Sequence, residues 1–422
     1  MTETRQKAVN IADVSPPPRR LKILTYKDRY QSSFMSPRHS RHEIERSLFL
    51  PFNKVYASWD GFTVLPPFKG RDLVHAHNRI PIGAGRHICS YESVLPRTFG
   101  LPKASPLLRA MQATIESNKC RRIVGMSHSA KVHFLNQHAD SPQFERLKAK
   151  LMVRHPNVHL GEEEDSLPGD SADHLVVTFV GAHFGRKGGV ALIRAAELAL
   201  ERDLPVTFNI ISSLQVGASN WLDPTLPEFF TPYLEKLSLP NIRHVSGLPN
   251  AEVRAVLRGS HLSVLPTLAD TFGYSMIEAM AEHTPVIASR VSAVPEVIAH
   301  GYNGYMLALP TDESGDWTAT AYSERSTPAY AEQFRQANES LAHQMVDLLG
   351  SLVNQRAELE RLRRNAYTTA KHMFSAASQA ALWDDLYERV AAEDINSEPV
   401  VDPELDISSP ADPLTFLKDK FV

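Results

Sequence analysis

The feature that most constrains the fold of this chain is a regular alternation of short apolar runs with amphipathic segments in its second half. Leu175 to Val180 and Val206 to Ile211 are apolar runs of strand length, whereas Val190 to Leu200 carries apolar residues at helical spacing. Leu262 to Leu265 and Val286 to Ala288 continue the alternation. Such a pattern predicts parallel sheets covered by helices on both faces, with ligands at the carboxyl ends of the strands.

The length and composition are those of a globular chain with two domains. Of the 422 residues, 43% are hydrophobic and 22% are charged, which is enough to form two cores. Gly161 to Asp173 is acidic and rich in glycine, serine and proline, so it is the best candidate for the domain boundary. Residues 1–20 and the tail from Asp394 are polar and proline-rich, and we expect both to be disordered.

Charge and cysteine content restrict the location and the partners. A formal net charge of −3 and the lack of interleaved aromatic and basic residues argue against a nucleic-acid partner. Two cysteines cannot build a disulfide framework, and there is no signal core or spanning apolar run, so we expect a cytoplasmic protein. Lys27 to Arg46, dense in arginine and histidine, is either a solvated loop or a peripheral contact with headgroups on the inner membrane face.

The stretch Pro266 to Pro285 passes from a strand into a helix through a polar loop. Asp270 lies in that loop, and Glu278 lies about one turn into the helix. Carboxylates accept hydrogen bonds from neighbouring hydroxyls, and the free N–H groups of a helix start bind anions. Taken alone, the stretch is equally well explained as a core helix with ordinary surface acids.

A glycine-rich loop, GAHFGRKGG, precedes the helix at Val190. Its glycines let the backbone approach a ligand closely, while Arg186 and Lys187 add positive charge at the helix N-terminus. The loop is neither a Walker A motif nor a dinucleotide fingerprint, and a plain turn with two solvated cations is the alternative. Because strand-to-helix loops line one rim of a doubly wound sheet, Lys187, Asp270 and Glu278 are expected to face one ligand with phosphates and hydroxyls. A sugar nucleotide fits this description.

From about Val176 to Pro310 the chain resembles the retaining glycosyltransferases of family 4. The matching motifs are FVGAHFGRKGG, HVSGLPNAEVRAVLRGSHLSVLPT, DTFGYSMIEAMAEHTPVIAS and VPEVIAHGYNGYML, in the order and spacing of that family. The resemblance implies an α/β fold of the GT-B type, with two Rossmann-like domains facing across a cleft. The implied parts are a leader at 1–20, an N-terminal acceptor-side domain at 21–165, a C-terminal sugar-nucleotide-binding domain at 174–375, a helix at 376–393 that packs back on the N-terminal domain, and a disordered tail at 394–422.

The resemblance also implies roles for the donor-site residues. Lys187 and Arg186 would grip the donor diphosphate, Asp270 would contact the transferred sugar, and Glu278 would bind the ribose diol. The backbone at Thr271, Phe272 and Gly273 would lie against the sugar and the phosphates. The turn at Gly247 and Leu248 would lie near the base, and Gly181 is a further donor-binding position.

Three positions depart from the family pattern in the C-terminal half. Asp270 stands where the family has the longer glutamate, so the sugar contact is expected to differ. Ala182 replaces an arginine, for which Arg186 is a candidate substitute. His283 replaces a glycine at the end of the helix, so a tight helix end is expected to be altered.

The acceptor side is less well defined by the sequence. The glycine-rich loop usual after the first strand is missing from TYKDRYQSS, and the usual cleft histidine is not obvious in CSYES. Glu92, Tyr91 and His77 are the candidates there. His75 and His77 alternate as metal ligands on a strand would, but no third ligand follows, and a polar strand end is favoured.

The sequence therefore predicts a retaining hexosyltransferase that moves a sugar from a nucleoside diphosphate to a hydroxyl acceptor. The acceptor class stays open between a sugar, a polysaccharide and a lipid-linked glycan. Lys187 and Arg186 would stabilise the charge on the leaving diphosphate, so no metal or other cofactor is expected. The alternatives are a non-catalytic GT-B-like nucleotide-sugar-binding or scaffolding protein, and a hydrolase that uses Ser127, whose motif lacks the last glycine of a nucleophile elbow.

Overall fold

The structure is a computed structural model that describes residues 19–26, 35–47, 52, 56–64, 70–98, 100–163, 173–319 and 322–401. The predicted leader therefore lies almost wholly outside the described residues, as do residues 164–172 of the predicted linker and 402–422 of the tail. Among the helices within these ranges, none combines the length and the apolar character needed to cross a lipid bilayer.

Parallel sheets organise both halves of the described chain. The alternation of strands and helices predicts the C-terminal sheet, and the GT-B resemblance implies the N-terminal one. The strands in chain order are β1 Lys22–Tyr26, β2 Glu43–Ser47, β3 Phe62–Val64, β4 Leu73–His77, β5 Ile80–Ile82, β6 His87–Tyr91, β7 Cys120–Gly125, β8 Leu151–Val153, β9 Leu175–Val180, β10 Val206–Ile211, β11 Ile242–Val245, β12 Leu262–Leu265, β13 Val286–Ser289 and β14 Gly304–Leu307. The N-terminal sheet has the order β2-β1-β4-β6-β7-β8, and the C-terminal sheet has the order β11-β10-β9-β12-β13-β14. Strands β3 and β5 form a separate small sheet.

Helices connect these strands and cover the sheets. They are α1 Pro106–Glu116, α2 His128–His138, α3 Phe144–Ala149, α4 Gly189–Glu201, α5 Thr231–Leu234, α6 Asn250–Arg258, α7 Tyr274–Ala281, α8 Pro328–Leu352, α9 Arg356–Thr369 and α10 Ala376–Ala392. Strands β9 and β12 are almost wholly apolar because they lie at the centre of a sheet that is covered on both faces. Helix α4 is buried over most of its length because it packs against both the sheet and α8.

The last helix, α10, packs on the N-terminal sheet. The Tyr387 hydroxyl lies 2.7 Å from His75 Nδ1, and the Trp383 ring lies 4.7 Å from the His75 ring, centroid to centroid. The carboxylate of Asp384 accepts a hydrogen bond from the backbone N–H of Arg41. The stretch predicted as a loop up to Arg46 ends instead in the edge strand β2, parallel to β1. An edge strand tolerates polar residues because one side of it faces solvent.

The tail follows α10 across the same domain as far as Val401. Arg121, whose side chain is almost completely buried, donates to the Glu393 carboxylate at 2.6 Å and to the Ser397 backbone oxygen at 2.8 Å. The N–H of Val401 donates to the backbone oxygen of Ala149 at 3.1 Å. The prediction of disorder from Asp394 is therefore wrong for residues 394–401, because a buried guanidinium needs these acceptors.

His283 occupies a left-handed backbone conformation, with φ of 60°. Its ring stacks on Tyr367 with the centroids 3.9 Å apart, and its Nε2 lies 2.8 Å from the backbone oxygen of Glu162. The tight helix end that a glycine would make is therefore kept, and side-chain contacts offset the strain that a β-carbon brings.

This arrangement predicts an unusual order of stability at position 283. His283→Ala loses the ring contacts but keeps the backbone strain, whereas His283→Gly loses the contacts and relieves the strain. The alanine variant should therefore have a free energy of unfolding about 1 kcal/mol below that of the glycine variant, as measured by urea denaturation. At Ala255, which lies exposed in the right-handed helix α6, substitution by glycine should instead lower stability. An alanine variant at 283 as stable as the glycine variant would contradict the account.

Candidate functional site

The strand order places two loops side by side at one rim of the C-terminal sheet. Strand β9 pairs with β10 on one side and with β12 on the other. The direction in which successive strands are added to the sheet therefore reverses between β9 and β12. The loop from β9 to α4 carries Arg186 and Lys187, and the loop from β12 to α7 carries Asp270. Such a switch point opens a crevice at the carboxyl ends of the strands, where α/β proteins bind ligands.

The two loops touch through their backbones. The N–H of Leu268 donates to the Arg186 backbone oxygen at 3.0 Å, and Thr267 Oγ1 donates to the same oxygen at 3.1 Å. Gly188 has φ of 89°, and a β-carbon on it would lie 2.0 Å from the Pro266 backbone oxygen. Only glycine fits at this position. A β-carbon on Gly181 would likewise lie 2.6 Å from Lys187 Cδ, so Gly181 leaves room for the lysine side chain.

Lys187, Arg186 and Asp270 form a compact charged group. Lys187 Nζ lies 2.8 Å from Asp270 Oδ2, and Arg186 Nη1 lies 3.8 Å from the same oxygen. The N–H of Gly273 donates to Asp270 Oδ1 at 3.2 Å. Burial by itself would raise the pKa of Asp270, but the charges of Lys187 and Arg186 outweigh burial and hold it below its ordinary value. Asp270 is therefore ionised at neutral pH and is the counter-ion of the two cations.

The N-terminus of α4 is less open than the sequence suggests. The N–H of Gly189 donates to the Phe184 backbone oxygen at 2.8 Å, and that of Ala191 donates to Asn338 Oδ1 at 3.1 Å. These first-turn groups are already satisfied within the protein, so positive charge at this loop comes chiefly from Arg186 and Lys187.

Glu278 lies in α7 on the side of α6. Its Oε1 accepts a hydrogen bond from Asn250 Nδ2 at 3.0 Å. Burial raises the pKa of Glu278 above its ordinary value, while the bond from Asn250 works in the opposite direction. Gly247 and Leu248 lie in the connection between β11 and α6, just before Asn250. A half-buried carboxylate next to this connection is suited to accept hydrogen bonds from hydroxyl groups.

The turn that follows Asp270 places one residue in the cleft and another in the core. Thr271 lines the cleft between the domains. The Phe272 side chain is only 2% exposed and packs against His155, with the ring centroids 5.7 Å apart. Gly273 begins α7 with φ of 77°. Thr271 thus faces the cleft, whereas the Phe272 ring anchors the turn in the core and the N–H of Gly273 is bound to Asp270.

A cleft of about 1420 Å³ lies in front of this group and is lined by both domains. The lining residues from the N-terminal half are Glu92, Ser93, Val94, Arg97, Thr98, Gly100, Ser129, Ala130, His133, Asn136 and Gln137. Those from the C-terminal half are Ala182, His183, Arg186, Trp221, Ala269, Asp270, Thr271, Ser292 and Asp316. A cleft of this size, with charged and aromatic side chains in its walls, is large enough for a sugar nucleotide and an acceptor.

Only one of the three acceptor-side candidates lines the cleft. Glu92 is paired with Arg97 at 2.5 Å, and His77 Nε2 lies 3.8 Å from its other oxygen. Burial would raise the pKa of Glu92, but His77 and Arg97 lower it to about 2. Tyr91 is fully buried and donates its hydroxyl hydrogen to the Ala130 backbone oxygen, so it does not face an acceptor. His77 is also buried and acts on Glu92 rather than on the cleft.

Ser127 and His75, for which the sequence disfavours a catalytic or metal-binding role, have structural roles. Ser127 is fully buried and its Oγ accepts a hydrogen bond from the N–H of Ala130 at 2.9 Å, which caps α2. His75 lies 3.0 Å from Ser90 Oγ in addition to its contact with α10. Neither arrangement supports a serine nucleophile or a histidine metal pair.

Residues that join the two domains across the cleft were not foreseen. Glu296 accepts hydrogen bonds from the N–H groups of His128 and Ser129, at 2.6 Å and 2.9 Å, at the start of α2. His133 Nε2 lies 2.9 Å from Asp316 Oδ2. These contacts join residues more than 160 positions apart, so no local pattern in the sequence indicates them.

Comparison with solved structures defines the class of fold. A glycosyltransferase from Rickettsia africae superposes with a TM-score of 0.53 over 89% of this chain and 100% of its own, at 13% identity. HepE of Anabaena in complex with UDP and glucose gives 0.54 over 88% of this chain and 100% of its own, at 14% identity. The chain has the GT-B fold, with two Rossmann-like domains that face each other across a cleft, as predicted.

Sequence comparison places a family domain in the C-terminal half. Residues 174–322 match the family described as Glycosyl transferases group 1. MMP alpha-(1->4)-mannosyltransferase of Mycolicibacterium hassiacum is 27% identical over 219 residues, which are 51% of this chain and 43% of that protein. D-inositol 3-phosphate glycosyltransferase of Corynebacterium glutamicum is 31% identical over 133 residues, 31% of each chain. The chain thus spans less than half the length of either relative. It contains a glycosyl transferases group 1 domain, which agrees with the resemblance at this coarser level.

The charged group predicts how stability depends on Asp270. Asp270→Asn leaves Lys187 and Arg186 without their counter-charge in a poorly solvated place, so the free energy of unfolding at pH 7 should fall by about 2 kcal/mol. Because the pKa of Asp270 is lower in the folded state, the wild-type advantage should persist from pH 7 to about pH 5 and shrink below about pH 4. Urea unfolding at these pH values measures it.

The matched control is Asp347→Asn, which removes an exposed acid paired with Arg202 on the surface of the same domain. It should change stability by no more than a few tenths of a kcal/mol, roughly the value of a surface ion pair. Equal stability of Asp270→Asn and the wild type at pH 7 would argue against the described geometry.

Proposed function

We propose that this protein is a retaining hexosyltransferase that uses a nucleoside-diphosphate sugar as donor and a hydroxyl group as acceptor. The observation that carries the proposal is the group of Lys187, Arg186 and Asp270 at the switch point of the C-terminal sheet. Arg186 and Asp270 lie in the wall of the cleft between the domains, and Lys187 pairs with Asp270 beside it. The relatives named as a mannosyltransferase and a glycosyltransferase, and the neighbour solved with UDP and glucose, support the same donor class.

In the proposed donor complex, the diphosphate exchanges places with Asp270 as the partner of the cations. Lys187 and Arg186 then hold the diphosphate oxygens, and the freed carboxylate of Asp270 accepts hydrogen bonds from sugar hydroxyls. Glu278 binds the ribose diol, with Gly247 and Leu248 near the base. Gly181, Thr271, Phe272 and Gly273 contribute backbone rather than side chains to this site.

Transfer breaks the bond between the anomeric carbon and the diphosphate oxygen. The acceptor oxygen forms the new bond on the same face of the sugar, and the acceptor proton passes to the departing diphosphate. Negative charge develops on the diphosphate, where Lys187 and Arg186 stabilise it more strongly than in water because the site is partly desolvated. These two cations supply the charge, so the proposal includes no metal requirement, and activity should persist in excess EDTA.

The decisive variant is Lys187→Ala. Removal of its ammonium group should lower kcat by about a hundredfold or more, since one preorganised charge at the leaving group typically contributes several kcal/mol. Donor consumption is measured with UDP-, GDP- and ADP-sugars, after a thermal-shift screen selects the nucleotide that raises the melting temperature most.

The matched control is Lys236→Ala, because Lys236 also pairs with a carboxylate, Glu197 at 2.7 Å, but lies in the short 3-10 helix Glu235–Ser238 after α5 and is not among the residues that line the cleft. This variant should retain wild-type turnover. Near-normal turnover of folded Lys187→Ala would refute the assignment. Nucleotide binding without turnover of any donor would favour instead the non-catalytic nucleotide-sugar-binding or scaffolding protein.

A further inference from the structure

Trp221 is a cleft residue for which the donor site gives no role. Its side chain is 43% exposed, and it lines the cleft beside Arg186 and Asp270. Indole rings are usually well buried, since they carry a large apolar surface. An open indole in the wall of a binding cleft, among charged side chains, is the kind of surface that a ligand covers.

The exposure of Trp221 is not the result of a loose segment. Asn220 Oδ1 accepts hydrogen bonds from the N–H groups of Leu222 and Asp223, at 2.9 Å and 3.0 Å. These bonds close a tight turn around Trp221. The Leu222 side chain is fully buried. Arg325 Nε donates to the Asp223 backbone oxygen at 2.8 Å. The backbone that carries the indole is therefore fixed, so that less conformational entropy is lost when a ligand binds.

The segment that carries Trp221 contacts the loop that carries Arg186 and Lys187. The Arg186 guanidinium carbon lies 4.7 Å from the centre of the Trp221 ring, which is cation–π distance. A β-carbon on Gly185 would lie 2.3 Å from a carboxylate oxygen of Asp223, so the two segments are in direct contact. One cation thus touches both Asp270 and the indole, and the indole lies next to the proposed site of transfer.

The position of Trp221 favours the acceptor over the nucleoside. The cleft that it lines is completed from the N-terminal domain by Glu92, Arg97 and His133. Glu278, which is proposed to bind the ribose, is not part of that lining and is paired with Asn250 of α6. Trp221 therefore shares a cleft with residues of the N-terminal domain, whereas Glu278 lies outside the lining of that cleft.

We propose that Trp221 is the stacking platform for a saccharide acceptor. This inference rests on the proposed function and specifies the acceptor class that the sequence left open. The C–H face of a pyranose is apolar and slightly positive, so it is complementary to the negative face of an indole ring. Glu92 and Arg97, across the cleft, are placed to bind the hydroxyls at the edge of the sugar ring.

The test measures binding of methyl glycosides of glucose, mannose and N-acetylglucosamine by saturation-transfer NMR and calorimetry. The protein is first saturated with whichever of UDP, GDP and ADP stabilises it most. Glycerol is the control ligand, because it has hydroxyls but no ring face. At least one glycoside should bind the wild type, Trp221→Phe should keep its affinity within about threefold, and Trp221→Ala should weaken it about tenfold.

The matched control variant is Trp59→Ala. Trp59 is 36% exposed but is not among the residues that line the cleft, so its removal should leave the glycoside affinity unchanged. The nucleotide affinity should be the same in all variants. Trp221→Ala should lower the melting temperature by at most a few degrees, since it removes the cation–π contact with Arg186 but little of the core.

Three results would overturn the inference. They are equal glycoside affinity of Trp221→Ala and the wild type, failure of every glycoside to bind the wild type, and a loss of nucleotide rather than glycoside affinity in Trp221→Ala, which would assign the indole to the base. In each of them nucleotide binding by the wild type leaves the proposed function intact. Failure of all three nucleotides to bind would instead refute the proposed function, and this inference with it.

Discussion

The parallel pairing of β9 with β12 is the constraint on which the site depends. Val177 lies opposite Leu262 and Phe179 opposite Val264, so two segments more than 80 residues apart end side by side. Their following loops are then joined by backbone hydrogen bonds and by the close approach of Gly188 to Pro266. Without this pairing the cations of one loop and the acid of the other would not meet.

The charges of the resulting group are balanced within the protein. Both oxygens of Asp270 are engaged within the protein, one by Lys187 and the other by the N–H of Gly273. An aspartate is one methylene shorter than the glutamate of the family that the sequence resembles, and here it joins its own loop to the loop that carries the cations. A donor with a negatively charged diphosphate would have to compete with Asp270 for Lys187 and Arg186.

The N-terminal domain contributes to the cleft through contacts with the C-terminal half. Helix α10 fixes the N-terminal sheet from one side, while Glu296 holds the start of α2 from the other. A carboxylate at a helix N-terminus is favourable because it satisfies free N–H groups and opposes the helix dipole. Glu92 and Arg97 line the cleft from the domain that these contacts hold against the C-terminal half.

The sequence by itself determined the α/β class, the parallel sheet of the C-terminal half, and the group of Lys187, Arg186 and Asp270, because apolar periodicity and loop chemistry are local properties. Lys187, Arg186 and Asp270 were predicted to lie together, and they do. The sequence did not exclude Tyr91, whose burial depends on the packing of α2 against β6, nor did it indicate Trp221. Exposure, pairing and the contacts between domains arise from residues that are distant in the chain, so only the tertiary structure decided which residues line the cleft from the N-terminal domain.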